Sequence, residues 1–236
     1  MEDHLLPAQT GGDAKQVFGR AEIRASIEAT GIIATIRESA PVDALFAAES
    51  VQGGGIPVIE VALTAPGALK VLLALANSHC DLIVGAGLVL DVEQARRAVD
   101  AGAMFLTSAG FDREIVDWAA EHDTAVFPGA MTPTEIMAAW KARPDFIRVF
   151  PCSQVGGASH IRALKSAFPQ LPLIAAGGIN QQNAAEFFQG GASAICPGGE
   201  LIPREAVELR QETRILELAR RFRTIVRMNR GSGKPN

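Results

Sequence analysis

The sequence predicts an α/β protein, a closed (β/α)8 TIM barrel with an extra helix ahead of its first strand. Three observations predict it. Eight short runs rich in Ile and Val alternate with amphipathic stretches along the chain, and alternation of strand and helix implies a parallel sheet. Several of the amphipathic stretches open on Asp, Thr or Asn and close on Gly, which are start and stop signals of helices. The length of 236 residues, 48% hydrophobic and 20% charged, suits one barrel domain. A doubly wound open sheet is the alternative architecture.

Taken in order, a helical pattern lies near residues 20–29. The expected strands are "IIATI" (32–36), "PVIEVAL" (57–63), "LIVGA" (82–86), "MFLTS" (104–108), "TAVF" (124–127), "FIRVF" (146–150), "PLIAA" (172–176) and "SAIC" (193–196). Between them lie helical patterns such as "PVDALFAAESVQGG", "DVEQARRAVDAGA", "TPTEIMAAWKA" and "NQQNAAEFFQGGA". One long helix is expected over 204–227. Residues 1–17 and 229–236 read as polar tails, which leaves a single barrel domain at 18–228.

Composition narrows the function. The net charge is −4 with acids and bases interspersed, so no basic stripe offers itself to nucleic acid. No apolar run approaches the ~18 residues of a membrane helix. The first residues, "MEDHLLPAQTGGDAKQ", are acidic and lack the apolar core of a signal peptide. The three cysteines, Cys80, Cys152 and Cys196, and the four histidines are scattered without metal-ligand or disulfide spacing. No metal site is expected, and a reducing cytoplasm fits.

In such a barrel the site lies on the loops after the C-terminal ends of the strands. That face carries Arg37, Glu60, "GAGLV" (85–89), Thr107–Ser108, "FPGAMT" (127–132), Arg148, "AAGGIN" (175–180) and "CPGGEL" (196–201). Two glycine pairs, Gly177–Gly178 and Gly198–Gly199, stand where the last two strands hand over to helices. Their backbone N–H groups suit an anion cradle, or they only close tight turns. Neither loop contains Lys or Arg, so backbone donors are expected there. Glu60 is a lone acid in an apolar strand. It is either a proton-transfer group or a structural partner of Arg37 or Arg148. "FIRVF" as a strand puts Phe146, Arg148 and Phe150 on one face and Ile147 and Val149 on the other. A buried guanidinium needs an acid, and Glu60 is the one expected within reach.

The stretches "IEVALTAPGAL", "IVGAGLVLDVEQARRAVDAGAMFL", "FPGAMTPTEIMAAW", "RVFPCSQVGGASHIRALKSAFPQLPLIAAGGINQQNAAEFFQGGA" and "GGELIPREA" occur in this order. Together they resemble the family of 2-dehydro-3-deoxy-phosphogluconate aldolases and 4-hydroxy-2-oxoglutarate aldolases, from about residue 19 to 226. The resemblance implies a homotrimeric class I aldolase, a lyase without metal or cofactor. It implies retro-aldol cleavage of 2-keto-3-deoxy-6-phosphogluconate, or of 4-hydroxy-2-oxoglutarate, to pyruvate and an aldehyde through a lysine Schiff base. By the same likeness Glu60 is the general acid/base and Arg37 a site arginine. Pro128, Gly129 and Thr132 form the wall after strand five, and Phe150 follows the catalytic strand. Gly177, Gly178, Gly198 and Gly199 form the phosphate loops.

At the Schiff-base lysine the chain departs from the family. Where the family reads Lys-x-Phe-Pro, this chain reads "RVFP", with Arg148 at the lysine position. An imine needs a neutral amine with a free lone pair, and a guanidinium is effectively never deprotonated. Leu88 and Ala176 also stand where the family has threonines. Arginine keeps the charge and the bidentate grip on a carboxylate. Two further readings therefore stand beside the aldolase. One is a catalytically impaired binding protein for an oxo acid or sugar phosphate. The other is a different phosphate-sugar barrel enzyme, in which Glu60 moves protons and Arg148 holds a developing enolate.

Overall fold

The computed structural model describes residues 18–78 and 82–230. The tail expected over 1–17 lies outside the described residues, as do positions 231–236. The chain runs α1 (Arg20–Thr30), β1 (Ala34–Ile36), α2 (Pro41–Gly53), β2 (Val58–Ala62), α3 (Ala68–Ser78), β3 (Ile83–Gly87), α4 (Val92–Asp100) and β4 (Phe105–Thr107). It continues with α5 (Arg113–Glu121), β5 (Ala125–Phe127), α6 (Pro133–Lys141), β6 (Ile147–Val149), α7 (Gly157–Ala167), β7 (Leu173–Ala176), α8 (Ala184–Gln189), β8 (Ala194–Cys196), α9 (Arg204–Glu208) and α10 (Glu212–Arg230).

All strands pair in parallel, in one arc ordered β1 to β5 and a second ordered β6 to β8. Two seams join the arcs. Between β5 and β6, Asp145 N donates to Val126 O, Arg148 N to Pro128 O and Ala130 N to Arg148 O. Between β8 and β1, Ile33 N donates to Ile195 O, Thr35 N to Pro197 O and Ile195 N to Gly31 O. The eight predicted runs all become strands, most of them shorter than expected, and the ring is the (β/α)8 barrel.

The core has two layers, as strand alternation demands. Ile33, Val58, Ile83, Phe105, Phe127, Phe146 and Ile174 fill the barrel interior, and Ile23 and Ile27 of α1 join that cluster and close its N-terminal end. Ile36, Ile59, Val61, Leu106, Ile147 and Val149 instead pack outward with the helix layer.

The C-terminal segment corrects one expectation. The helix anticipated over 204–227 is two helices, because Arg210 between them takes a left-handed φ of 53°. The break turns the Arg210 guanidinium onto α2, where it donates to Asp43 at 2.6 Å and lies 4.9 Å from the centre of the Phe46 ring. Helix α10 also runs to Arg230, two residues into the stretch read as a tail.

Candidate active site

Four side chains from alternate strands form one polar layer at the barrel mouth. Glu60, Thr107, Arg148 and Cys196 stand two residues beyond Val58, Phe105, Phe146 and Ala194, on β2, β4, β6 and β8. Those four apolar residues lie in the interior cluster, so the next inward position on each strand belongs to the same side of the wall. This is the layering by alternate strands that closed barrels impose.

Glu60 is fully buried, and Arg148 is 2% exposed. The Glu60 carboxylate accepts from Arg148 Nη1, from Thr107 Oγ1 at 2.8 Å and from Thr35 Oγ1 at 3.4 Å. Of the two partners left open for Glu60, the structure selects Arg148. Arg148 Nη1 also contacts Thr107 Oγ1, and its guanidinium carbon lies 5.7 Å from the centre of the Phe150 ring. Burial opposes the charge on Arg148, but the charge of Glu60 and its hydrogen bond to the guanidinium outweigh it. The guanidinium pKa is raised. Burial pushes the Cys196 thiol up to about 12, which leaves it a protonated, poorly nucleophilic group.

Gly87 makes room for this pair. A Cβ there would lie 2.5 Å from the Glu60 carboxyl carbon.

A cavity of about 250 Å³ opens beside the pair, lined by Arg37, Arg148, Phe150, Cys196, both glycine pairs and one carboxylate, Glu200. Arg148 Nε is buried and has no hydrogen-bond partner among the described residues. Gly177 and Gly178 take left-handed φ values of 90° and 73°, a region where a side chain is strained. The carbonyl of Gly178 is fixed by Ser153 Oγ and Asn183 Nδ2, each donating at 2.8 Å. Asn180 caps the turn ahead of α8, its Oδ1 accepting from Gln182 N and Asn183 N.

Two features of this face were not given by the loop sequences alone. The cavity is not served by backbone donors alone. Arg37, though remote in sequence from the Gly198–Gly199 loop, packs so closely that a Cβ on Gly198 would lie 2.4 Å from Arg37 Nη1. Spatial neighbours, invisible in a loop's own sequence, supply the cation. The residues after strand five do not line this cavity. Pro128 and Gly129 pair with Arg148 across the barrel seam, and Thr132 is the N-cap of α6, exchanging hydrogen bonds with Glu135. Sequence reasoning assigned no role to Thr35, Thr107 or Cys196. The available signal was a polar residue two positions beyond a buried apolar one on an inward-facing strand register.

Among the described residues no cluster of three or more His, Cys, Asp or Glu side chains could hold a metal ion, and no helix is long and apolar enough to cross a membrane.

A closed (β/α)8 barrel with an acid–cation pair and a small cavity at its strand ends has the build of the barrel enzymes whose sites lie on that face. Comparison with known proteins narrows this. Residues 23–218 match the family model described as "KDPG and KHG aldolase". The 2-dehydro-3-deoxy-phosphogluconate aldolase of Treponema pallidum is 28% identical over 85% of this chain and 96% of its own. The KHG/KDPG aldolase of Escherichia coli K12 is 32% identical over 73% of this chain and 81% of its own. A crystal structure of KDPG aldolase from Legionella pneumophila, with pyruvate captured at low pH as a covalent carbinolamine intermediate, superposes with a TM-score of 0.79. It is 31% identical and covers 84% of this chain and 96% of that one. The chain belongs to the KDPG and KHG aldolase family.

Proposed function

We propose that this chain holds a 2-oxo acid of the family's kind at the strand-end cavity and does so without a covalent bond to residue 148. The ligand is 2-keto-3-deoxy-6-phosphogluconate, 4-hydroxy-2-oxoglutarate or the pyruvate either would release. The observation that carries this reading is the Arg148 guanidinium, a buried cation with an unpartnered Nε beside a cavity that Arg37 also lines. Its free edge suits a carboxylate or enolate oxygen, and the glycine pairs with Arg37 suit the phosphate end.

The carbinolamine seen in the Legionella relative requires an amine, and Arg148 offers none. Among the described lysines, Lys141 lies on α6, and Lys165 on α7 donates Nζ to the carbonyls of Pro169 and Leu171. Lys70 lines a different cavity, beside Leu88. Retro-aldol cleavage through the Schiff base is therefore closed at residue 148. The acid/base role carried over to Glu60 remains available once a ligand anion draws Arg148 away from it.

The test is pyruvate trapping with borohydride, read by mass spectrometry, together with pyruvate release from 2-keto-3-deoxy-6-phosphogluconate. We expect ligand-dependent stabilisation and no adduct on the chain as it stands, and an adduct on Arg148→Lys. A borohydride-stable adduct on any lysine of the unaltered chain would overturn the reading. Pyruvate release without an adduct would instead favour enolate stabilisation by Arg148, with Glu60 as base. Family membership further supports a homotrimer acting in the cytoplasm, and light scattering should give three chain masses.

A further inference from the structure

We propose a second ligand site, at the opposite end of the barrel, for a small polyanion bearing two or more phosphate groups. Four arginines of α10, Arg220, Arg223, Arg227 and Arg230, line a groove of about 730 Å³ together with the end of α1 and the entry to β2, and no carboxylate lines it. Spacings of three, four and three residues keep the four on neighbouring turns of the helix.

Two of these arginines are built into the floor. Arg223 donates to Gly54 O at 3.3 Å, and Arg230 donates to Glu28 O and Ser193 O. Each is seated against a left-handed glycine. A Cβ on Gly55 would lie 2.2 Å from Arg223 Nη1, and one on Gly31 would lie 2.8 Å from Arg230 Cζ. Neutral backbone carbonyls take only some of their N–H groups and carry no formal charge to balance theirs. Half-buried Arg230 shows the consequence, its pKa lowered by burial against a partial offset from Glu28. The nearby acids are already committed. Glu28 pairs with Arg24 at 2.9 Å and Glu217 with Arg221 at 3.7 Å. Arg220 and Arg227 are exposed and form no ion pair with the described residues. Four guanidiniums converge on one concavity in a chain whose net charge is −4.

The chemistry of the site selects the ligand. Guanidinium groups bind phosphate oxygens in bidentate fashion. The four Cα atoms span about 15 Å of helix axis, more than one phosphate covers, so the ligand carries at least two anionic groups. A concave groove on an acidic protein favours a compact ligand over a nucleic-acid strand, which needs an extended basic track.

The experiment is titration calorimetry of the full chain with sodium tripolyphosphate at low salt. The comparison variants are R220E/R227E, which alters only the two free arginines, and R37E on the opposite face. We expect one tripolyphosphate per chain at this groove, weakened at least tenfold in R220E/R227E with unchanged circular dichroism, and retained in R37E. No binding, equal binding by R220E/R227E, or loss in R37E alone would overturn the proposal. Orthophosphate binding as tightly as tripolyphosphate would also overturn it, as would preference for duplex DNA at equal phosphate concentration.

Discussion

At Gly87 a single hydrogen separates the backbone of β3 from the Glu60 carboxyl group. Gly87→Ala places a methyl 2.5 Å from that carbon, so either the strand or the carboxylate must move. Overpacking of this kind costs about 1–3 kcal/mol, and the variant should melt earlier and lose ligand-induced stabilisation in the same thermal scan. Wild-type melting with full ligand response would show that the mouth is loose. Arg148→Lys is the complementary change. It restores an amine beside Glu60, and a borohydride-stable pyruvate adduct should appear at residue 148. Turnover should stay far below that of a family member with the full residue set, because Leu88 and Ala176 still lack the threonine hydroxyls. The Arg148–Glu60 contact was legible in the sequence, since strand alternation aimed both inward and a buried cation demands an acid. The Thr107 contact was not, because a threonine near a strand end is too common to single out. Arg37 against Gly198 was not legible either, because the seam between β8 and β1 joins the two ends of the chain.

Among the elements, α6 shows how a motif match and a structural role can share residues. Thr132 and Glu135 form a capping box at its N-terminus, a pattern readable as "TPTE" without any family likeness. The hydrogen bonds from Thr132 and Met131 backbone N–H groups to Glu135, with the Thr132 side chain, hold the carboxyl below its usual pKa. A folded-state pKa below the unfolded value stabilises the native state above the unfolded pKa, about 4.3, and the gain is lost as pH falls through the folded value. Glu135→Gln should therefore flatten the stability profile below about pH 4.3 and cost under about 1 kcal/mol at neutral pH, given its exposure. An unchanged acid limb would remove Glu135 from the account. Helix and strand identities were legible because the apolar periods are strong. The split between α9 and α10 was not, because Arg210 breaks the helix by its backbone angle while its residue type favours helix.

Across the whole molecule, the Glu60–Arg148 pair ties β2 to β6 through the barrel interior, while the Arg148 backbone closes the seam to the β5 side. One residue thus joins the two arcs both along the wall and across the lumen. Such a tie reads as a stability device, yet the energetics of buried ion pairs argue otherwise. Taking both charges from water costs several kcal/mol per ion, and the attraction seldom exceeds that cost by much. Removing one partner leaves the other charge stranded. Glu60→Leu and Arg148→Met should each lower stability by about 3–5 kcal/mol, or about 6–20 °C in melting temperature for a domain of this size. The double variant Glu60→Leu/Arg148→Met replaces the pair by apolar groups of similar volume. It should regain wild-type stability or exceed it, while ligand-dependent stabilisation by pyruvate disappears. That combination would mark a pair kept for binding at the expense of stability. If the double variant were as unstable as the two losses summed, the pair would instead be what holds the arcs of the barrel together.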